Sequence, residues 1–480
     1  MDRTKEGPSA RTKTSEFLPL DRPPAAGRTD WLTRVLRDAI ARNAVATGER
    51  LPASRVLADE LGVSRGVVVE AYQRLTEEGL LAGHGRNGTV VAGVVPTPVP
   101  VGKPAPVNLE PRSTALFDAL RAAPANADLA PGLPDLSAFP RAAWLRAERS
   151  VLADTPSASL GYADPRGTPE LRASISRWIA RTRGVRAAPD DIVVVAGVAQ
   201  AFSLLTVLLR ADGQDVIGTE DPGSFGARNQ LQSWGMHTVP IGVDEDGLRV
   251  DELENSGAPT VLVTPAHQFP TGVVLAGARR AALVAWAERG GLIVEDDYDA
   301  EHRYDRHPTA ALAATAPDLV CYTGSVSKLL APALRIGWVV APPRLRARLV
   351  AVKRDTDLGN ATLPQLVLAQ LIDNGDLERH LRLTRARHRT RRDRMIAAVR
   401  EHLPSARIHG AAAGLHLTIT FDREFADTDL ARRCLDAGVK VHPLSWHRQR
   451  PGPPGLVLGY ATASPDTISA GVAVIGRLLG

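Results

Sequence analysis

Residues 323–337 read TGSVSKLLAPALRIG, and they place one lysine among hydroxyl side chains with an arginine seven residues later. Lys328 offers a primary amine, which can bond covalently to an aldehyde. The hydroxyls of Ser325 and Ser327 each donate one hydrogen bond, and the guanidinium of Arg335 can bind a phosphate through two parallel N–H groups. The stretch therefore predicts a Schiff-base site for an aldehyde cofactor that carries a phosphate, which is the chemistry of pyridoxal phosphate.

Strand-like and helical segments alternate on both sides of this stretch. The apolar run DIVVVAG ends at Gly197 and leads into a helical pattern, and similar pairs follow nearly to residue 480. This alternation predicts an α/β domain over residues 126–480, with a mainly parallel central sheet and a smaller C-terminal lobe. At the junction after Gly197, the backbone N–H groups of Val198 and Ala199 can bind an anion at the positive end of a helix dipole.

Another predicted strand, GLIVEDDY, ends in three acids and a tyrosine. Because side chains two residues apart share one face of a strand, Asp296 and Tyr298 are expected to point together. Glu295 and Asp297 are expected on the opposite face. Asp296 can pair with a pyridinium nitrogen, and Tyr298 can hydrogen-bond a phenolate oxygen on the same ring. For Asp296 taken alone, a solvated strand end is the alternative interpretation.

The N-terminal part of the chain is organised differently. Residues 1–27 are polar and lack periodicity, which predicts a flexible tail. Residues 28–92 predict a winged helix-turn-helix, because two short helical patterns meet at Gly62, Ser64 can cap the second, and a Gly-rich turn precedes GTVV. Proline then alternates with small apolar residues, so residues 93–125 are predicted to be a semi-extended linker.

Composition limits the classes of protein that the chain can form. Its 480 residues exceed one ordinary core, 44% of them are hydrophobic, and the formal net charge is +5. It has neither a run of about eighteen apolar residues nor a charged and apolar leader, so a cytoplasmic protein without a membrane partner is expected. The two cysteines, Cys321 and Cys434, predict neither a disulfide framework nor a metal cluster. The positive charge permits DNA binding without establishing it.

The N-terminal segment resembles the GntR-type DNA-binding domain in its motifs LPASR, GVSR, AYQRL, EEGLL and GTVV. The C-terminal domain resembles the fold-type I aminotransferases, and the two together are similar to the MocR subfamily of GntR regulators. The most specific segments of this resemblance are GYADPRGTPELR, EDPGSFGARN, TPAHQFPTG and VEDDYDAEHRY, which begin at residues 161, 220, 264 and 294.

The resemblance implies which residues bind the cofactor and DNA. Pyridoxal phosphate would be held by Lys328 through the Schiff base, Asp296 at the pyridine nitrogen, Tyr298 and His267 at the ring oxygen, Ser325, Ser327 and Arg335 at the phosphate, and Tyr162 from the neighbouring subunit of a homodimer. Double-stranded DNA, in an operator of repeated half-sites, would be contacted by Arg55, Ser64, Arg65, His84, Gly85 and Arg86.

Two positions depart from the pattern of these families. Ser224 stands where relatives often have an aromatic residue, so Phe225 or another group is expected to cover the cofactor ring. Val457 stands where aminotransferases have an arginine that clamps the substrate carboxylate, and valine cannot form that ion pair. These departures favour a regulator that senses pyridoxal phosphate, or its adduct with an amine or amino acid, as effector in vitamin B6 or amino-acid metabolism.

Three alternatives remain open at this point. The chain could be an active aminotransferase with a DNA-binding appendage, or a DNA-binding protein whose second domain is empty. The arginine-rich run RHLRLTRARHRTRRDR, residues 379–394, is most simply a solvated helix face. A basic surface that touches DNA or the winged helix is the other interpretation of that run.

Overall fold

The structure is a computed structural model that describes residues 23–42, 44–83, 88–92, 120, 122–299, 301–304 and 309–480. Most of the predicted tail and linker lies outside the described residues, as do His84, Gly85 and Arg86 of the predicted wing. The chain divides into two compact units, Met1–Pro106 and Val107–Gly480. In the part of the chain that is described, no helix is long and apolar enough to cross a membrane.

The first unit contains three helices followed by a pair of antiparallel strands. The helices are α1 (Arg28–Ala41), α2 (Ser54–Leu61) and α3 (Arg65–Glu77), and the strands are β1 (Leu81–Gly83) and β2 (Thr89–Val91). Leu36, Leu57, Leu75 and Val91 are buried together with residues of every element in one apolar core. This small core holds the helices in the predicted helix-turn-helix order.

The turn between α2 and α3 is specified by two residues. Gly62 ends α2 in the left-handed conformation at φ 61°, which glycine adopts without a steric penalty. Ser64 then begins α3, because its hydroxyl accepts a hydrogen bond from the backbone N–H of Val67 at 3.4 Å. The predicted cap is confirmed, and the exposed start of α3 also carries Arg65.

The second unit is larger, and its described residues form three sheets. Its strands are β3 (Ala127–Asp128), β4 (Ile192–Val195), β5 (Val216–Asp221), β6 (His237–Asp244), β7 (Gly247–Leu248), β8 (Thr260–Val263), β9 (Leu292–Asp297), β10 (Val320–Ser325), β11 (Gly337–Val340), β12 (Arg407–His409), β13 (His416–Thr420), β14 (Val439–Lys440), β15 (His442–Pro443) and β16 (Gly455–Gly459). Its helices are α4 (Arg141–Asp154), α5 (Pro169–Arg183), α6 (Val198–Ala211), α7 (Phe225–Ser233), α8 (Val250–Ser256), α9 (Gly277–Glu288), α10 (Pro343–Asp357), α11 (Thr362–Asp373), α12 (Asp376–His402), α13 (Asp427–Asp436) and α14 (Pro465–Leu479).

The central sheet has the strand order β4-β11-β10-β9-β8-β5-β6-β7. Its neighbouring strands are parallel except where β11 meets β4 and β10 and where β7 meets β6. Along β4, Ile192 and Val194 belong to the core on one face, and Val193 and Val195 belong to the core on the other. A sheet buried on both faces needs such continuous apolar strands, so the predicted α/β domain is confirmed.

The smaller lobe is formed mostly by the C-terminal part of the chain. Strands β12, β13, β16 and β15 make an antiparallel sheet in that order, and β14 pairs in parallel with β3. Leu417 and Leu458 of this sheet share a core with Met395 of α12 and Ile475 of α14. The pairing of β3 with β14 brings a segment from before residue 130 into this lobe.

The arginine-rich run lies on α12, and several of its side chains have partners within the second unit. Four of its side chains donate hydrogen bonds to backbone carbonyls: Arg385 to Glu301, Arg389 to Tyr304, Arg391 to Ala461 and Arg392 to Ala411. A guanidinium has five N–H donors and can satisfy loop carbonyls that no strand or helix pairs. A wholly solvated face is therefore wrong at these four positions, where the arginines fasten loops to α12.

Candidate cofactor site

A cavity of about 650 Å³ lies at the carboxyl ends of the parallel strands of the central sheet. Such an edge is the usual place for ligands in open α/β sheets, because the loops that leave the strands diverge there. The cavity is lined by residues that follow five strands, among them Val198, Ser224, Thr264, Asp296, Tyr298, Ser325, Ser327, Lys328 and Arg335. The structure therefore brings most of the predicted cofactor residues to one place.

The lysine of the opening stretch is held by its side chain and by its backbone. Lys328 Nζ donates to the carbonyl oxygen of Gly132, and its own carbonyl oxygen lies 3.1 Å from Nε2 of His302. The next carbonyl, that of Leu329, lies 3.0 Å from Nε2 of His380 on α12. Because a carbonyl can only accept, both imidazoles donate from Nε2, and together they fix the lysine loop from two directions.

The protein groups that are predicted to bind the phosphate lie around the start of α6. Val198 and Ala199 are its first residues and line the cavity with Ser325 and Ser327. The guanidinium of Arg335 lies so close to this turn that a Cβ on Gly197 would stand 3.1 Å from Nη1. Unpaired helix N–H groups, two hydroxyls and a guanidinium form a suitable donor set for a dianionic phosphate.

At the end of β9, the side chains alternate as the sequence predicts. Asp296 and Tyr298 line the cavity, whereas Glu295, on the other face of the strand, accepts hydrogen bonds from the backbone N–H groups of Leu312 and Ala313. Asp297, also directed away from the cavity, forms an ion pair with Arg183. The strand pleat therefore assigns the acids to different tasks.

The carboxyl of Asp296 fits a protonated pyridine nitrogen. Its Oδ1 is buried and has no hydrogen-bond partner within the protein. Burial, and secondarily the nearby charge of Asp297, raise the pKa of Asp296 to about 7, and Lys328 opposes that shift. A positively charged N–H donor at Oδ1 would supply the missing partner and stabilise the ionised carboxylate.

Tyr298 belongs to a buried hydrogen-bonded group with His267 and Asp299. His267 Nδ1 lies 2.9 Å from both the Tyr298 hydroxyl and Asp299 Oδ2. His267 is not among the residues that line the cavity, and its predicted place near the ring oxygen stays a prediction. Atoms of His267, Asp299 and His416 that could coordinate a metal ion lie within 4.8 Å of one another. Hydrogen bonds within the protein account for this arrangement.

Besides His267, two predicted residues lie outside the cavity lining. Phe225 is buried beside Arg228, whose guanidinium carbon is 5.3 Å from the ring centroid, and only its neighbours Ser224 and Gly226 line the cavity. Tyr162 is 96% exposed. Its predicted role in a neighbouring subunit and the ring-covering role of Phe225 both stay predictions.

Several lining residues escaped the sequence analysis. They include Phe202, Phe269, Gly132, Lys440, His416, His442 and His447. The aromatic residues Phe202 and Phe269 lie on α6 and after β8. The only sequence signal for the histidines is their position on or beside strands of the small lobe, and it does not indicate which way they face.

Of the predicted DNA contacts within the described residues, Arg55, Ser64 and Arg65 are exposed in the first unit. Arg55 lies on α2, Ser64 caps α3, and Arg65 is the first residue of α3. The second helix of a helix-turn-helix is the one that enters a major groove, and its N-terminal residues reach the bases and phosphates. Ser64 and Arg65 are thus exposed at the start of that helix and Arg55 is exposed on α2, and their contacts with DNA stay predictions.

Asp296→Asn is expected to change stability in a pH-dependent manner. The folded carboxyl keeps its proton up to about pH 7, whereas the unfolded one releases it near pH 4, so stability falls as the pH rises between these values and then levels. Asparagine does not titrate. The free energy of unfolding of the cofactor-free variant should therefore match that of the wild type near pH 4 and exceed it by roughly 1–3 kcal/mol at about pH 8. The difference is moderated because Asp296 borders the cavity.

Urea unfolding of the full chain at the two pH values measures this difference. The same variant should bind pyridoxal phosphate more weakly, because an amide cannot compensate a pyridinium charge. A stability difference that is equal at both pH values would contradict the assigned titration of Asp296.

The two units and the cavity define a class of protein, namely a helix-turn-helix DNA-binding domain joined to an aminotransferase-like domain. Residues 31–91 match the bacterial regulatory proteins of the gntR family, and residues 128–470 match aminotransferase class I and II. The chain belongs to the MocR subfamily of GntR-type transcriptional regulators, which confirms the predicted resemblance.

Similar proteins cover nearly the whole chain. It is 33% identical over 468 residues to the probable rhizopine catabolism regulatory protein MocR of Rhizobium meliloti, covering 95% of this chain and 94% of that protein. It is also 33% identical to the HTH-type pyridoxine biosynthesis transcriptional regulator PdxR of Corynebacterium glutamicum, covering 91% and 92%. Among solved structures, kynurenine aminotransferase of Pyrococcus horikoshii gives a TM-score of 0.70 at 25% identity, covering 76% of this chain and 93% of that one.

Proposed function

We propose that this regulator binds pyridoxal phosphate at Lys328 and that the ligand state of this site controls DNA binding by a homodimer. The observation that carries the proposal is the buried Asp296 Oδ1, which has no partner in the protein and lies in the same cavity as Lys328. When bound, pyridoxal phosphate supplies an aldehyde carbon that forms an imine with an amine. Lys328, Asp296 and the proposed phosphate-binding groups line one cavity, which supports binding of the three functional parts of that cofactor.

The residues divide the work of binding. Ser325, Ser327, Arg335 and the start of α6 bind the phosphate, and Asp296 binds the pyridine nitrogen. Tyr298 is held by His267 at the position proposed for the ring oxygen. Lys328 Nζ would hold the cofactor covalently, and the amine set free when a ligand amine takes its place would accept the proton that the ligand ammonium group releases.

A sensor needs a ligand whose affinity differs between two arrangements of the protein. His302 and His380 connect the backbone of the lysine loop with the loop after β9 and with α12. A change at Lys328 can therefore shift packed elements of the second unit. We propose that the regulated genes belong to vitamin B6 or amino-acid metabolism, the first in keeping with the name of the relative PdxR, a pyridoxine biosynthesis regulator.

Arg65→Ala is expected to weaken DNA binding about 10-fold or more, because one phosphate or base contact contributes roughly 1–3 kcal/mol. Arg65 is exposed at the N-terminus of α3. Fluorescence anisotropy with DNA from upstream of its own gene measures the affinity at several salt concentrations. The slope of log affinity against log salt should fall by about one if Arg65 neutralises a phosphate.

Arg34→Ala is the matched control, since Arg34 is an exposed arginine on α1 of the same unit. It removes the same charge and should change affinity far less. Both variants should bind pyridoxal phosphate like the wild type. Equal effects of the two substitutions on DNA binding would refute the assignment of α3 as the helix that contacts DNA through Arg65.

A further inference from the structure

One end of the cavity is lined by three histidines and an ion pair that the proposed cofactor contacts do not use. The histidine wall consists of His416, His442 and His447, and beside it Lys440 and Asp128 also line the cavity. Lys440 Nζ lies 3.3 Å from Asp128 Oδ2, and the lysine side chain is 6% exposed. The positive charge at this end is therefore compensated within the protein.

The three imidazoles of the wall are neutral near pH 7. Burial lowers the pKa of His416 and of His442 to about 3, and it lowers that of His447 well below its usual range. Neighbouring positive or imidazole groups add to each shift: His267 for His416, Lys440 for His442, and His442 for His447. The wall can donate and accept hydrogen bonds, and it offers no cation.

The hydrogen bonds of His447 show which of its nitrogens is available to a ligand. Nδ1 of His447 accepts from the backbone N–H of Phe225 at 3.5 Å, so the neutral ring carries its proton on Nε2. Nε2 is buried without a hydrogen-bond partner, and the whole residue is only 2% exposed. A buried donor of this kind in a cavity wall indicates a missing acceptor.

The neighbouring sheet adds no charge at this end. Val457 on β16 stands opposite Thr418 on β13 and opposite His442 on β15, and residues in such register share one sheet face. Val457 is completely buried. Among the described cavity-lining residues, the lysine and arginine side chains are Lys328, Arg335 and Lys440, which serve the imine, the phosphate and Asp128.

We infer that the histidine wall makes the site select primary amines that carry an uncharged hydrogen-bond acceptor, such as a hydroxyl or carboxamide, over amines that carry a carboxylate. This inference rests on the proposed function, in which a ligand amine meets the cofactor at Lys328. A neutral acceptor satisfies Nε2 of His447 without importing charge. A carboxylate would be desolvated there without an uncompensated cation to pair with, which is unfavourable.

Alanine, alaninol and alaninamide form a matched series for the test, because they differ only in the group that replaces or retains the carboxylate. Each is titrated into the full chain loaded with pyridoxal phosphate, and binding is followed by calorimetry and by the visible absorbance of the cofactor. Alaninol and alaninamide should bind at least about tenfold more tightly than alanine.

Two substitutions assign this preference to the wall. His447→Phe keeps a buried ring and removes the Nε2 donor, so it should weaken alaninol and alaninamide about tenfold and leave alanine nearly unchanged. Val457→Arg should reverse the order by adding a guanidinium on the same sheet face, and Val457→Leu is its size control. If Val457→Arg fails to fold, the wild-type series and His447→Phe still decide.

Loading and DNA binding without any amine are measured first, and they test the proposed function separately. Failure of either would refute that function. If both hold and alanine binds as tightly as its uncharged analogues, the inferred selectivity is overturned while the function stands. Loaded protein that binds none of the three amines would overturn the inference as well.

Discussion

Replacing Lys328 with alanine is expected to abolish covalent retention of pyridoxal phosphate. The cavity would keep the proposed phosphate-binding residues, Asp296 and Tyr298, so it could still bind the cofactor reversibly. It would lack the amine that can form an imine, because that amine is Nζ of Lys328, which follows the carboxyl end of β10. After desalting, the wild type should show the visible absorbance of the bound cofactor and the variant should show none.

Borohydride reduction followed by peptide mass spectrometry locates the attachment directly. The cofactor mass should appear on the peptide that contains Lys328, and Lys328→Arg should lose it while it keeps a positive charge at this position. Attachment to Lys353 or Lys440 would contradict the assignment. DNA binding by Lys328→Ala should no longer respond to pyridoxal phosphate or to amines, although the first unit is unchanged.

The same variant separates a sensor from a catalyst. Sustained transfer of amino groups by the wild type, lost in Lys328→Ala, would support the alternative of an active aminotransferase with a DNA-binding appendage. Lys440 is paired with Asp128 and Val457 is apolar, so neither provides a clamp for a substrate carboxylate. We therefore expect exchange of amines at the cofactor without sustained amino-group transfer.

The cofactor residues that could be predicted from the sequence are those whose direction follows from local geometry. The two-residue period of β9 directs Asp296 and Tyr298 to one face and Glu295 and Asp297 to the other, whatever the rest of the fold. The capping role of Ser64 is equally local. Such features depend on a few neighbouring residues, so one sequence is enough to specify them.

The rest of the site depends on register between distant segments. His442 faces the cavity because β15 pairs with β16 in the register that sets it opposite Val457, and a shift by one residue would turn it away. His267, predicted near the ring oxygen, contacts the Tyr298 hydroxyl through a segment that is distant in the chain, and its role at the cofactor stays a prediction. The arginines of α12 meet loop carbonyls from residues 301, 304, 411 and 461, which no local pattern brings together.

The second large effect concerns the buried ion pair behind β9. Arg183 Nε lies 2.6 Å from Asp297 Oδ2, Nη2 lies 3.1 Å from Oδ1, and the two side chains are 0% and 2% exposed. The Tyr322 hydroxyl also donates to Asp297 at 2.7 Å. Asp297 follows Asp296 directly, so this bidentate pair fixes the strand end that carries the cofactor-binding acid.

Arg183→Met is therefore expected to destabilise the full chain by roughly 3–5 kcal/mol, because it leaves the carboxylate of Asp297 buried without its cation. Urea unfolding, followed by the fluorescence of Trp178 and Trp338 in the adjoining core, measures the loss. Affinity for pyridoxal phosphate should fall in the same variant, since Asp296 is no longer held in place.

The double variant Arg183→Met, Asp297→Asn distinguishes a lost ion pair from lost packing. Asparagine keeps the shape and can still accept from Tyr322, but it carries no charge that needs Arg183. If the buried charge causes the destabilisation, the double variant should recover about half of it or more. If the double variant is as unstable as Arg183→Met, the guanidinium acts through packing and its bond to the Thr309 carbonyl, and the electrostatic explanation is wrong.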